Sequence, residues 1–147
     1  MSSEVYYYEN FLSPEMCDWF VSFHKVFHPL YGIEFSNRKI VNFNPMVDLL
    51  YTDKEKVNVT DHLKRVEADL TCTVRKHDDT AYINYTHLTA WQAPIHQPLH
   101  LDFDEHAWTS VLYLNDNFDG GCTIVGNEKV TPKTGDLILF TGKDIMH

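Results

Sequence analysis

Between Ile95 and Ala107 the chain carries His96, His100, Asp102, Asp104, Glu105 and His106, residue types that ligate divalent metals. If Leu99 to Phe103 is extended, His100 and Asp102 point to the same face with Cα atoms about 6.6 Å apart. An imidazole and a carboxylate at that separation can converge on one ion. Leu101 and Phe103 then face the other way, toward packing. A third ligand must come from elsewhere, and His147 stands just beyond a strand-and-turn unit. Two imidazoles and one carboxylate on one face of an octahedral ion leave the opposite positions open. Those are what a non-haem Fe(II) oxygenase needs for a chelating co-substrate and dioxygen.

Other groupings carry less chemistry. His24 and His28 share a helix face at i, i+4, but no carboxylate matches them, so they read as a solvated or half-buried pair. His62, His77 and His87 read as ordinary surface or core histidines. His96 and His106 are near enough to His100 to act as alternative ligands or substrate contacts, and Asp104 shares parity with Asp102. Ser110 lies inside a strand pattern without a nucleophile-elbow sequence, which leaves Ser-His-Asp catalysis unsupported. There is no Gly-rich phosphate loop.

The elements that must position these groups follow from pattern. Tyr6 to Phe11 reads as a short strand leading into a helix. Ser13 is its N-cap, with Pro14 at the first helical position and Glu15 in the first turn. Met16, Trp19, Phe20, Phe23, Val26 and Phe27 follow at helical spacing, and Pro29 stops the helix. A second helix is predicted from about Thr60 to Val74, with Leu63, Val66, Leu70 and Val74 on one face and Asn58 or Thr60 as cap. Between them a strand is placed at Lys39 to Phe43. Tyr82–Trp91, Leu99–Phe103, Trp108–Leu114, Cys122–Val125, Lys129–Thr131 and Asp136–Phe140 read as strands separated by turn signals. The fold class is therefore α+β, mainly β: a β-sandwich or jelly roll with two supporting N-terminal helices.

At 147 residues, 44% of them hydrophobic and 14% aromatic, the chain suits one domain spanning 1–147 with one core and is not a disordered segment. The 12 Lys and Arg against 21 Asp and Glu give −9, which argues against nucleic acid as a partner. No apolar run reaches membrane-spanning length. Met1 to Asn10 lacks the basic-then-apolar order of a secretory signal. Cys17, Cys72 and Cys122 are odd in number and widely spaced, as in a reducing cytoplasm.

The order of motifs adds a resemblance. His100-Leu101-Asp102 is followed by Thr109-Ser110-Val111-Leu112-Tyr113-Leu114-Asn115-Asp116, then Phe118-Asp119-Gly120-Gly121. Val130-Thr131-Pro132-Lys133-Thr134-Gly135-Asp136-Leu137-Ile138-Leu139-Phe140 and His147 complete the series. It resembles the prolyl 4-hydroxylase-like branch of the 2-oxoglutarate- and Fe(II)-dependent dioxygenases, whose pattern is H-x-D, T-x-x-LYLND-x-F-x-GG, V-x-P-x-x-G-x-x-x-x-F and a distal His. Tyr8 to Cys17 is similar to that branch's approach to its first helix. The resemblance covers residues 91–147 and 5–24.

The resemblance implies a double-stranded β-helix with iron in its open mouth, held by His100, Asp102 and His147. It implies that Tyr113 hydrogen-bonds the far carboxylate of 2-oxoglutarate, and that Trp91 stands where many relatives carry a second such tyrosine. The implied reaction couples oxidative decarboxylation of 2-oxoglutarate by O2 to hydroxylation of a substrate C–H bond, with ascorbate as a supporting reductant. A peptidyl proline is the leading substrate, and a small molecule the lesser one. Gln97 replaces a Tyr, His106 an Arg and Cys122 a Glu of relatives, departures at the rim rather than at the iron. Relatives also place a cation beyond the distal His, on a last barrel strand that this sequence does not include. Burying the co-substrate carboxylate without a cation would cost about 3–5 kcal/mol. The sequence therefore reads as C-terminally incomplete, with Lys133 and Lys143 as local substitutes. Two alternatives stay open: a metal-binding β-helix interaction module without turnover, and a cupin-like enzyme using another metal.

Overall fold

The computed structural model describes residues 5–43, 57–92, 97–103 and 107–147. Its elements run β1 (Val5–Tyr8), α1 (Pro14–Tyr31), β2 (Ile33–Phe35), β3 (Arg38–Asn42), α2 (Val57–Val74), β4 (His87–Trp91), β5 (Thr109–Leu112), β6 (Thr123–Val125), β7 (Glu128–Val130) and β8 (Leu137–Phe140). The architecture is α+β, mainly β, with antiparallel sheets ordered β1-β8-β5, β2-β3-β4 and β6-β7. The residues fall into two compact units, Met1–Val26 with Pro94–His147, and Phe27–Ala93. No helix among the described residues is long and apolar enough to cross a membrane.

In the first unit, α1 begins where the sequence places it. Ser13 Oγ accepts a hydrogen bond from the Met16 N–H at 3.2 Å, satisfying a donor that the first turn leaves free. The buried face of the helix is formed by Cys17, Phe20, Phe23 and His24, whereas Val26 remains 62% exposed. Burial, reinforced by the nearby Asp18 charge, raises the Cys17 thiol above its ordinary value. Cys72 and Cys122 are exposed. A disulfide reagent should therefore label these two thiols promptly in native protein and Cys17 only on unfolding; prompt labelling of Cys17 would contradict this packing.

Strand β8 is the centre of its sheet, and all its side chains are buried. A continuous Leu-Ile-Leu-Phe run is what a strand covered on both faces requires. The register places Tyr7, Ile138 and Val111 in one row and Val5, Phe140 and Thr109 in the next. Because side chains alternate, these residues share a face. Val125, Ile138, Phe140 and Ile145 form the core there, with Val5, Val111, Tyr113 and Val130 packed around it. Two residues ahead of β8, Gly135 has φ 88°. A Cβ on Gly135 would overlap the Leu12 carbonyl, whose own N–H donates to the Gly135 oxygen at 3.1 Å. Only glycine meets both demands.

In the second unit Ser36 and Asn37 both take positive φ, which lets a two-residue turn join β2 to β3 in keeping with strand twist. Helix α2 spans Val57–Val74, so its described part includes Val57, Asn58 and Val59 ahead of the expected Thr60. Leu63, Val66 and Val74 form its buried face as the spacing predicts. Strand β4 is shorter than the expected Tyr82–Trp91. Just before His87, the Thr86 carbonyl still accepts the Phe43 N–H at 3.1 Å, while its Oγ1 donates to Glu67 Oε1 of α2 at 2.9 Å; further back, Arg75 Nε, just past α2, donates to the Ala81 carbonyl at 2.8 Å. Pro29 does not stop α1, which continues to Tyr31. So near the end a proline forfeits little main-chain bonding, and the Gly32 N–H closes the turn on the His28 carbonyl at 2.9 Å.

Candidate metal centre

Residues 97–103 belong to no sheet, in contrast to the strand expected at Leu99–Phe103. They are held by single main-chain pairs. His100 and His147 exchange both hydrogen bonds, N–H to oxygen at 2.9 and 3.0 Å, the pattern of an antiparallel hydrogen-bonded pair. The Asp102 N–H donates to the Gly142 carbonyl at 2.9 Å. Between these pairings the chain turns, with the Asp144 and Ile145 N–H groups both bonded to the Thr141 carbonyl at 3.0 Å. That turn interrupts a regular ladder, yet it sets His147 directly across from His100. Alternation holds: His100 and Asp102 are half-buried. Leu101 and Phe103, expected to pack, are instead 49% and 73% exposed. The segment buries its polar side, where the main-chain pairs attach it to residues 142–147.

His100, Asp102 and His147 thus form a group that could hold a metal ion, with their ligand atoms all within 4.8 Å of one another. Asp102 Oδ1 lies 3.5 Å from His100 Nε2 and 3.5 Å from His147 Nε2. Donors around an ion at bond lengths near 2.1 Å sit about 3–3.4 Å apart, so both pairs are close to ligating separation. The imidazoles are already turned for the task. His100 Nδ1 is 3.1 Å from the Pro98 carbonyl, and His147 Nδ1 is 2.9 Å from the Ile145 carbonyl. A carbonyl only accepts, so each Nδ1 carries a proton and Nε2 is the ring nitrogen turned toward Asp102 and left for a metal. This is the backing that metal-bound histidines use.

Packing fixes the rest. The His147 ring meets fully buried Phe140 edge-on, with centroids 4.7 Å apart. The Thr109 hydroxyl donates to Asp102 Oδ2, leaving Oδ1 to face the imidazoles. Gly142 lies so close that a Cβ on it would overlap both Thr109 Oγ1 and Asp102 Oδ2. Neither Thr109 nor Gly142 is assigned a site role by sequence reasoning. The only signals were the Thr that opens T-x-x-LYLND and a glycine in a turn just ahead of His147. Gln97 Nε2 is 3.5 Å from His100 Nε2. His96, Asp104, Glu105 and His106 lie outside the described residues.

Tyr113 follows Thr109 and Val111 on the same face and lines a cleft of about 450 Å³ with Tyr7, Glu128, Lys129, Lys133 and Ile138. Its hydroxyl pairs with Thr123 Oγ1. Burial raises the Tyr113 phenol above its ordinary value, against a smaller opposing effect of Thr123, so it stays a protonated donor. Tyr7 is pushed up to about 12 by partial burial, then by the hydrogen bond it gives to Glu128 and by that carboxylate's charge. Trp91 belongs to the other unit. It is 51% exposed there, with the Arg38 guanidinium 5.1 Å from its ring and 5.4 Å from that of Phe35. Compared with protein-family models, curated proteins and solved structures, the chain matches none.

Proposed function

We propose that the chain is an Fe(II)- and 2-oxoglutarate-dependent dioxygenase of the prolyl 4-hydroxylase-like type, built on a double-stranded β-helix and working in the cytoplasm. One observation carries this reading: two imidazole Nε2 atoms, each freed by a backbone-bonded Nδ1, face the same oxygen of Asp102. A site of two His and one carboxylate suits ferrous iron and leaves room for co-substrate and O2. A ferrous ion bound there supplies oxygen activation, with 2-oxoglutarate as reductant and ascorbate keeping the iron reduced.

The chain's own groups do the positioning. His100 and His147 would hold the ion through Nε2, and Asp102 through Oδ1. Phe140 and Ile138, both buried, keep water from the inner face, and Phe140 holds the His147 ring. Tyr113, a protonated phenol on the cleft wall, offers a hydrogen bond to the far carboxylate of the co-substrate. Lys133 on the same cleft offers it a cation. Trp91 as a second co-substrate contact rests on its place in the sequence alone. A peptidyl proline as substrate rests on the motif resemblance, as fold likeness by itself does not select a substrate. A protein or peptide partner also agrees with the net charge of −9.

The test is turnover. With Fe(II), ascorbate and air, 2-oxoglutarate should be converted to succinate, followed by proton NMR, and His100→Ala should abolish the conversion. Metal binding without any 2-oxoglutarate consumption would overturn the enzyme reading and leave a metal-binding module.

A further inference from the structure

We infer that Thr109 is a positioning residue that limits Asp102 to binding a metal through a single oxygen, an inference that rests on the metal-centre part of the proposal above. A free carboxylate offers two equivalent oxygens and can close on an ion with both. Here they are not equivalent. Oδ1 stands 3.5 Å from each imidazole Nε2, whereas Oδ2 accepts the Thr109 hydroxyl. The backbone of Asp102 is fixed as well, through its N–H on the Gly142 carbonyl at 2.9 Å.

Gly142 supplies an independent reason for the same orientation. Its absent Cβ is the space that Thr109 Oγ1 and Asp102 Oδ2 occupy, so hydroxyl and oxygen are seated together against the chain. To bring Oδ2 onto an ion, the carboxylate would have to rotate out of that seat and give up a charge-assisted hydrogen bond. Strand β5 makes the seat dependable, because Thr109 is paired with Phe140, whose ring also backs His147. The consequence is chemical. On a six-coordinate ion a one-oxygen Asp102 leaves about three positions for exogenous ligands, and a two-oxygen Asp102 leaves about two. A co-substrate that chelates and an oxygen molecule together need the larger number.

The experiment counts water bound to Mn(II) in the protein by pulsed electron paramagnetic resonance in D2O. The wild type and Thr109→Ser should each hold about three waters, while Thr109→Val should hold about two as Oδ2 takes the vacated position. Thr109→Ala, which also lacks the hydroxyl, serves if the Val variant fails to fold. An unchanged count in the folded Val or Ala protein would overturn the role of Thr109 and leave the metal centre standing. Loss of Mn(II) from a folded hydroxyl-free variant would also overturn it, because Thr109 would then hold the ligand in place without limiting its mode of binding. No Mn(II) binding by the wild type would overturn both.

Discussion

Asp102→Ala should abolish tight binding of divalent metal. The substitution removes the one oxygen that faces both imidazoles, each at 3.5 Å, and leaves two neutral donors with no anion to offset the ion's charge. Losing a partner that merely orients a ligand costs about 10–100-fold in affinity. Losing the ligand itself should exceed the upper end of that range. Isothermal titration with Mn(II) or anaerobic Fe(II) reads the effect directly. Circular dichroism should be unchanged, because Asp102 is half-buried and its main-chain bond to Gly142 survives in Ala. An affinity within tenfold of wild type would place the ion elsewhere.

Phe140→Ala should be the most damaging single change to stability. Phe140 is 0% exposed, sits in the central strand of its sheet, and joins Val125, Ile138 and Ile145 in one cluster. Truncating a fully buried phenylalanine costs about 3–5 kcal/mol through lost transfer energy and the cavity left behind. That is a large share of the roughly 5–15 kcal/mol that holds a domain folded. Urea denaturation should show the midpoint falling by the corresponding amount, and Phe140→Leu should recover part of the loss. The same truncation removes the edge that supports the His147 ring, so metal affinity should fall along with stability. A loss below about 1 kcal/mol would mean that the site collapses around the gap.

What could be read from the sequence was what local chemistry decides. Ser13-Pro14 marks a helix start because a hydroxyl acceptor and a residue without an N–H suit free donors, and the Ser13 cap forms. Leu137 to Phe140 reads as strand because an unbroken apolar run needs cover on both faces. The alternation of His100 and Asp102 needed only an extended backbone, and that much holds without a regular ladder. What escaped depends on partners distant in sequence. Leu101 and Phe103 look like core by parity, but parity says which residues share a side and not which side is covered. The pairing of His100 with His147 joins segments 47 positions apart and is written in no local pattern. Thr109 and Gly142 are ordinary strand and turn residues until their contact with Asp102 is seen. Pro29 misleads because its cost depends on how many helical bonds remain to be broken, and near Tyr31 few do.

The central claim, that His100, Asp102 and His147 close on a single ion, is tested most directly by crystals grown with Mn(II) and measured at a wavelength where manganese scatters anomalously. The account predicts one strong anomalous peak within about 2.3 Å of His100 Nε2, Asp102 Oδ1 and His147 Nε2 together. A peak bound by other side chains, or an empty centre with the His147 ring turned from Asp102, would contradict it.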